Sequence, residues 1–248
     1  MHIVSCFKVV PEEQDIVVTP DQKLSFDRAD FKISQFDLNG IEAAVQLAGE
    51  GDVVTALSVG GKILENSKLK KDVLSRGPSE LCLVKDDAAF EPTASAIAAA
   101  ARTTGFDLLV FGEGSGDLYA QQTGLLAARM LGVPCVNAVS SIEKTEAGIR
   151  VERSLENEVE VIELPLPAAV CVTSDINVPR IPTMKAILGA GKKPAKTLST
   201  ADIGWTAPVK TVELDAIEVP PRKERAHEVL EGDSAVADFA ARIKSALK

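Results

Sequence analysis

Three glycines at alternate positions, Gly112, Gly114 and Gly116, follow the apolar run Leu108, Leu109, Val110 and Phe111 and precede a polar, helix-like segment. A strand, a glycine turn and a helix start make an arrangement suited to anions. Glycine accepts positive φ and close approach of a ligand, while the unpaired amides of the following helix point into the turn. A phosphate suits that place. Ser115 adds a hydroxyl, and Asp117 is an N-cap or a partner for ribose hydroxyls at a helix starting near Asp117 or Leu118. Gln121, Gln122, Thr123 and Gly124 fill the next turn. The spacing is not the dinucleotide fingerprint G-x-G-x-x-G, because the third glycine comes one residue early, and no Lys-Ser/Thr pair ends it as in a P-loop. Two readings stay open on these residues alone: a nucleotide site, or a βα turn whose glycines serve geometry only.

Groups that make and break bonds are scarce. His2 and His227 lie near the two ends of the sequence, away from any candidate nucleophile, which argues against Ser-His-Asp and Cys-His arrangements. Of the cysteines, Cys6 alone falls near the expected crevice, where a small buried hydrophobe is its expected role. The acidic pairs Glu12 with Glu13 and Asp86 with Asp87 read as solvated surface. Single Trp205 and single Tyr119 offer little aromatic area to sandwich a flavin, so a redox flavin would be held mostly by another chain.

The chain has 248 residues, 46% hydrophobic and 25% charged, enough for one large core with an extension. Its net charge of −9, without a long basic block, makes nucleic acid and anionic membrane poor partners. Residues 1–15 read as a first strand and not as a signal peptide. No apolar stretch reaches the ~20 residues of a membrane span. Cys6, Cys82, Cys135 and Cys171 are widely spaced with no C-x-x-C, against disulfides, a structural zinc or any other metal site. Cytoplasmic placement is expected.

The elements that must position the glycine turn alternate. Residues 2–10 read as a buried strand and 12–30 as a polar hairpin or loop. A helix follows with Ile41, Ala44, Val45 and Ala48 on one face, Asp37 as its cap and Gly49 as its end. Strands at 53–59, 81–84 and 107–111 alternate with helices over 62–76 and 92–104. This is the grammar of a parallel, doubly wound α/β sheet of Rossmann-like type. After Pro134 strand-like runs at 148–154, 159–164 and 168–173 lack helices between them and read as added antiparallel strands. The expected division is an α/β nucleotide-binding domain over 1–193 and an extended arm with a terminal helix over 194–248. Val236, Phe239, Ile243 and Leu247 lie along one side of that helix. In such sheets ligands bind at the carboxyl ends of strands where strand order reverses. The loops after the first, second and fourth strands bring Cys6 with Phe7, Val59 with Gly60, and Gly112 to Gly116 to one crevice.

Six stretches in order resemble the β subunit of electron-transfer flavoproteins, most of all the FixA-like branch: CFKVVPEEQDIVV, KISQFDLNGIEAA, VTALSVGG, KDVLSRGP, GEGSGDLYAQQTG and SDINVPRIPTMKAILGAGKKP. The resemblance implies an electron carrier subunit and not an enzyme. Its FixB-like α subunit would hold the redox FAD in a heterodimer, and this chain would keep a structural AMP. The family's AMP contacts fall here on Cys6, on Ser34, Gln35, Phe36 and Asp37, on Val59, and on the stretch from Ser115 to Leu126, including Gly116, Asp117, Gln121, Gln122, Thr123 and Gly124. The segment 182–193 would dock an electron-donating dehydrogenase or reductase through Met184, Ile187 and Leu188, unless these three pack on their own domain. The arm after Pro194 resembles the extension that wraps the α subunit. FixA-like systems are linked to a FixC/FixX-like quinone and ferredoxin-type partner, some to anaerobic carnitine reduction. Some related β subunits carry a second FAD in place of AMP for electron bifurcation. An ATP pyrophosphatase type of α/β enzyme is a competing class, weakened because SVGGK at 58–62 lacks the acid and second serine of a pyrophosphate loop. A lone stress-type nucleotide-binding module leaves the long arm unexplained.

Overall fold

The computed structural model describes residues 1–85, 93–208, 216–221 and 227–247. Asp86, Asp87 and the start of the helix expected from Pro92 lie outside the described residues. The chain divides into two units, one of Met1–Val17 with Ser25–Asp215, the other of Val18–Leu24 with Ala216–Lys248.

In the first unit, strands β1 (His2–Cys6), β2 (Val53–Gly60), β3 (Glu80–Lys85) and β4 (Leu108–Gly112) alternate with helices α1 (Gln35–Leu47), α2 (Ser67–Ser75) and α3 (Thr93–Thr104). Helix α4 (Thr123–Leu131) then leads to β5 (Cys135–Thr145), β6 (Gly148–Ser154), β7 (Val159–Leu164) and β8 (Ala168–Val172). Helix α5 (Met184–Ala190) and β9 (Ala195–Leu198) follow. Among the described residues these strands form one nine-stranded sheet in the order β7-β6-β5-β8-β4-β1-β2-β3-β9. From β5 to β9 every neighbouring pair is parallel, and β6 and β7 form an antiparallel edge.

Alternate residues along each central strand face opposite helical layers, which is why these strands read as mostly apolar runs, with Ser5, Thr55 and Ser58 buried among them. Ile3, Leu108 and Val110 pack beneath α1, whereas Val4, Leu109 and Phe111 pack beneath α3 and α4. The second layer approaches closely because α3 buries Ala94, Ala96, Ala98, Ala100 and Ala101.

Three expectations are corrected. The run expected at 168–173 as an added antiparallel strand is β8, parallel, fully buried and inserted between β4 and β5. Burial on both faces, not the absence of a preceding helix, sets its place. The helix expected over 62–76 is a 3-10 turn at Lys62–Glu65 followed by α2, whose start is capped by Asn66 accepting from the Lys68 amide. The boundary expected after residue 193 cuts through the unit's packing: β9 pairs with β3, Ile203 is buried, and Trp205 Nε1 donates to Ser95 Oγ at 2.8 Å. Glu12 and Glu13 lie at the surface as expected, where both pair with Lys32, at 2.9 and 2.5 Å.

In the second unit, helix α6 (Ala235–Ala246) follows the expected span, with Val236, Phe239, Ile243 and the adjacent Leu247 exposed. Arg242 pairs with Glu228. No described helix is long and apolar enough to cross a membrane.

Candidate functional site

Strand order reverses between β1 and β4. From β1 the chain steps to β2 and β3 on one side and returns to β4 on the other, so the ends of β1 and β4 splay around a crevice at their carboxyl termini. A cavity of about 260 Å³ opens there, lined among others by Cys6, Phe7, Val59, Phe111 and the turn Gly112 to Ser115. Its far wall is Gln121, Gln122, Thr123 and Gly124 at the start of α4. Three loop ends that the sequence places far apart thus meet at one hole.

Close backbone approach fixes the glycine turn. A Cβ on Gly112 would lie 2.6 Å from the carbonyl carbon of Phe36 and 2.8 Å from Asp37 Oδ1, so α1 can start against the end of β4 only because that atom is missing. Gly124 serves α4 in the same way, since a side chain there would meet the Cys171 sulfur. Tyr119 and Gln121 take φ of 45° and 56°. Left-handed residues cannot continue a right-handed helix, so α4 begins at Thr123 and not near Asp117 or Leu118 as expected. The start of α4 and the glycine run therefore meet at the cavity as separate parts of its lining.

Asp37 is not the cap of α1. Ser34 occupies the N-cap position, and Asp37 turns towards the strand ends, where Oδ2 accepts from the Lys8 amide at 2.7 Å and Oδ1 from the Gly112 amide at 3.3 Å. The carboxyl joins the ends of β1 and β4 across the switch point. Burial pushes it up to about 7, and the two amides offset this only in part. Ser34 Oγ likewise accepts from the Gly116 amide at 3.3 Å. Asp117 lies outside the cavity wall and pairs with Lys8 Nζ at 2.6 Å, while its other oxygen accepts from the Ser115 hydroxyl at 2.5 Å. Burial raises this carboxyl, but Lys8 and Ser115 prevail and hold it below its ordinary range.

Of the residues singled out in sequence, Cys6, Asp37, Val59, Ser115, Gln121, Gln122, Thr123 and Gly124 line the cavity. Ser34, Gln35, Phe36, Gly116 and Asp117 stand behind it. Phe36 backs the turn through its ring, 5.0 Å from that of Tyr119. Leu118, within the expected stretch from Ser115 to Leu126, lines the cavity too, whereas sequence reasoning missed Lys8, Thr93, Ile97 and Cys171 on the wall. Cys171 carried a signal in its apolar run, but only insertion of β8 beside β4 brings it there.

The wall favours holding over reacting. Burial, with Asp37 close by, pushes the Cys6 thiol well up, and its neighbour Cys135 together with burial does the same to Cys171. Neither is a thiolate nucleophile at neutral pH. Among the described residues no cluster of three or more His, Cys, Asp or Glu is placed to hold a metal. Apolar side chains on one side, a helix start on the other and a carboxyl between them fit a base and a phosphate.

The segment before β9 makes a second candidate surface. Met184 and Leu188 are 71% and 73% exposed and do not pack into their own core, whereas Ile187, 40% exposed, is mostly covered by its own fold. Val178 and Ile181, which sequence reasoning did not single out, are more exposed still. Comparison with protein families gives a match between residues 23–203 and the electron transfer flavoprotein domain.

Proposed function

The chain belongs to the electron transfer flavoprotein family, whose members bind flavin and carry electrons between protein partners, and from that premise we propose that it is the β subunit of a FixA-like heterodimer in the cytoplasm. A FixB-like α subunit holds most of the FAD, and this chain holds AMP as a fixture in the crevice between β1 and β4. The observation that carries the reading is the cavity itself. At about 260 Å³ it falls just below the ~300–1,000 Å³ of ordinary small-molecule pockets, room for a nucleoside monophosphate better than for a dinucleotide.

The residues fit that group. Cys6, Val59 and Phe111 give apolar surface for a base, Asp37 a buried acceptor, and Gln122, Thr123 and Gly124 the start of a helix for a phosphate. Bound flavin supplies the redox chemistry. This chain's own residues shape the crevice that holds AMP: Asp37 ties two strand ends together, the glycine turn lets α1 close on β4, and the neutral thiols of Cys6 and Cys171 line the pocket between them.

Met184, Ile187 and Leu188 form a docking surface for a dehydrogenase or reductase that delivers electrons. A FixC/FixX-like quinone-linked partner stands at the other end of the transfer, and where the setting is anaerobic carnitine reduction the electrons run the opposite way, from that partner to the docked reductase. The test is to co-express the chain with a FixB-like α subunit, purify the complex, release its ligands by denaturation and identify them by mass. A yellow complex giving one FAD and one AMP is the expected result. Two FAD per pair replaces the AMP assignment with electron bifurcation. A colourless monomer that hydrolyses ATP overturns the carrier reading in favour of an ATP pyrophosphatase type of enzyme.

A further inference from the structure

Residues 178–188 expose apolar side chains that have nothing of their own fold above them, yet the backbone carrying them is fastened at both ends. Val178 and Ile181 are 88% and 90% exposed. Between them sits Arg180, whose guanidinium grips the buried Glu42 of α1: Nε donates to Oε2 at 2.7 Å, Nη2 to Oε1 at 2.9 Å, and the Arg180 amide to Oε2 at 3.1 Å. Gln46 adds a fourth donor to the same carboxylate at 2.8 Å. One turn earlier on α1, Asn39 Nδ2 donates to the Asn177 carbonyl at 2.9 Å, and Asn177 Nδ2 donates to the Asn39 carbonyl at 3.0 Å. At the far end Lys193 Nζ donates to the carbonyls of Leu74 and Pro78 at 2.8 and 2.6 Å, and Ala190 is fully buried.

A bidentate pair with a buried carboxylate is far more constraining than an exposed ion pair, because releasing Arg180 would leave a charge inside the protein. Burial pushes Glu42 up and Arg180 more than offsets it, holding the carboxylate ionised. Pro179 and Pro182 flank Arg180, restrict the backbone and remove amide donors. A free segment with this many apolar side chains would fold down onto the nearest apolar surface; one pinned at Arg180 keeps the residues on either side outward. Residues 178–193 also carry Arg180, Lys185, Lys192 and Lys193 with no acid, in a chain of net charge −9. With Arg180 and Lys193 engaged as above, Lys185 and Lys192 frame the apolar surface.

We propose that Glu42, aided by Asn39, is a positioning residue for protein docking: from within α1 it holds the stretch from Asn177 to Arg180 so that Val178, Ile181, Met184 and Leu188 stand preorganised for a redox-partner protein. That partner presents an apolar pocket rimmed by carboxylates. Preorganisation removes an ordering cost on association, so the staple acts on affinity and not on electron transfer within the complex. The proposal rests on the docking reading above.

Glu42 is 5% exposed and cannot touch a partner, so any effect of changing it on docking must pass through the segment. The test uses the assembled pair of this chain and its flavin-holding partner subunit, with a flavin dehydrogenase that reduces it. Glu42→Gln is expected to raise KM for the pair about tenfold, leave kcat and nucleotide content unchanged, and speed amide hydrogen exchange over 178–188. Arg180→Lys, which keeps one charged donor, should recover part of what Arg180→Ala loses. An unchanged KM in Glu42→Gln, alongside a raised KM in Met184→Ala, overturns the staple and leaves the docking surface standing. No change in Met184→Ala or Leu188→Ala removes the docking surface and the staple with it. If Glu42→Gln does not fold, equal KM values for Arg180→Lys and Arg180→Ala overturn the proposal.

Discussion

The two edges of the parallel sheet treat their acids in opposite ways. At the amino ends of the strands, Asp52 lies against Lys144 and 2.5 Å from the Met1 ammonium, and it accepts the Gly49 amide at 2.7 Å. Lys144 above all, then the terminal amine, holds its carboxyl far below the usual range. Along the same edge Thr55 Oγ1 links His2 Nε2 and Glu80 Oε1, each at 2.7 Å, and Asp107 accepts the His2 amide. At the carboxyl ends, Asp37 is more deeply buried and takes its two hydrogen bonds from amides, with its proton held to about 7. Cations close the lower edge around Asp52, whereas the upper edge keeps the turn from Gly112 to Gly116, left-handed residues and, in Asp37, a carboxyl with only amides as hydrogen-bond donors, while Lys8 pairs with Asp117, which lies outside the cavity wall. Both ends thus join strands, the lower through cations and the upper through backbone amides.

The contrast can be broken most severely at Gly112. In Gly112→Ala the new methyl meets the backbone of Phe36 and the carboxyl of Asp37. Overpacking of this kind costs ~1–3 kcal/mol, and because it displaces α1 from β4 the variant should also lose its nucleotide. Denaturant unfolding and ligand analysis of one preparation read both. A Gly112→Ala protein of parental stability with full nucleotide content would count against the tight junction.

Asp37→Asn sharpens the comparison through pH. The folded state keeps a proton on Asp37 up to about 7, whereas an unfolded aspartate loses it near ~3.9. Stability from this group therefore falls as pH rises between those values and is level above them. The asparagine variant, whose single oxygen can accept from only one of the two amides while its NH2 faces the other, should remove that slope at a cost of ~1–3 kcal/mol for the unmatched donor. Melting temperatures of ligand-stripped parent and variant from pH 4 to 8 would decide, and parallel curves would refute the assignment.

Asp52→Asn should show the reverse sign and the smallest effect. A depressed folded value contributes stability above the unfolded one, lost as pH falls through the folded value. The variant is expected to be less stable at pH 7 by roughly 1 kcal/mol, with the gap narrowing below pH 4. A gap that widens in acid would be incompatible with the ion pairs of the lower edge.

How much of this was legible in the chain differs by element. The strands from β1 to β4 announced themselves, because burial on both faces demands runs such as Leu108 to Phe111 with no polar interruption. The convergence of Cys6, Val59 and the glycine turn was also legible, since reversal of strand order after a βα alternation leaves one crevice. The start of α4 was not. Nothing in the residue types of Tyr119 or Gln121 signals positive φ, and the packing of Gly124 on Cys171 sets where that helix can begin. Asp37 reads as a helix cap in any local window, and only the arrival of β1 and β4 gives its carboxyl better donors.

Sequence alone determined the alternation of strands and helices, the glycine turn at the end of β4 and the scarcity of reactive groups, because these follow from periodicity and residue type within a few positions. Tertiary structure alone decided that β8 lies inside the sheet, that Cys171 reaches the cavity floor and that Glu42 grips Arg180. Those outcomes depend on which surfaces meet across 33 to 138 residues of chain, and no local pattern encodes a meeting at that separation.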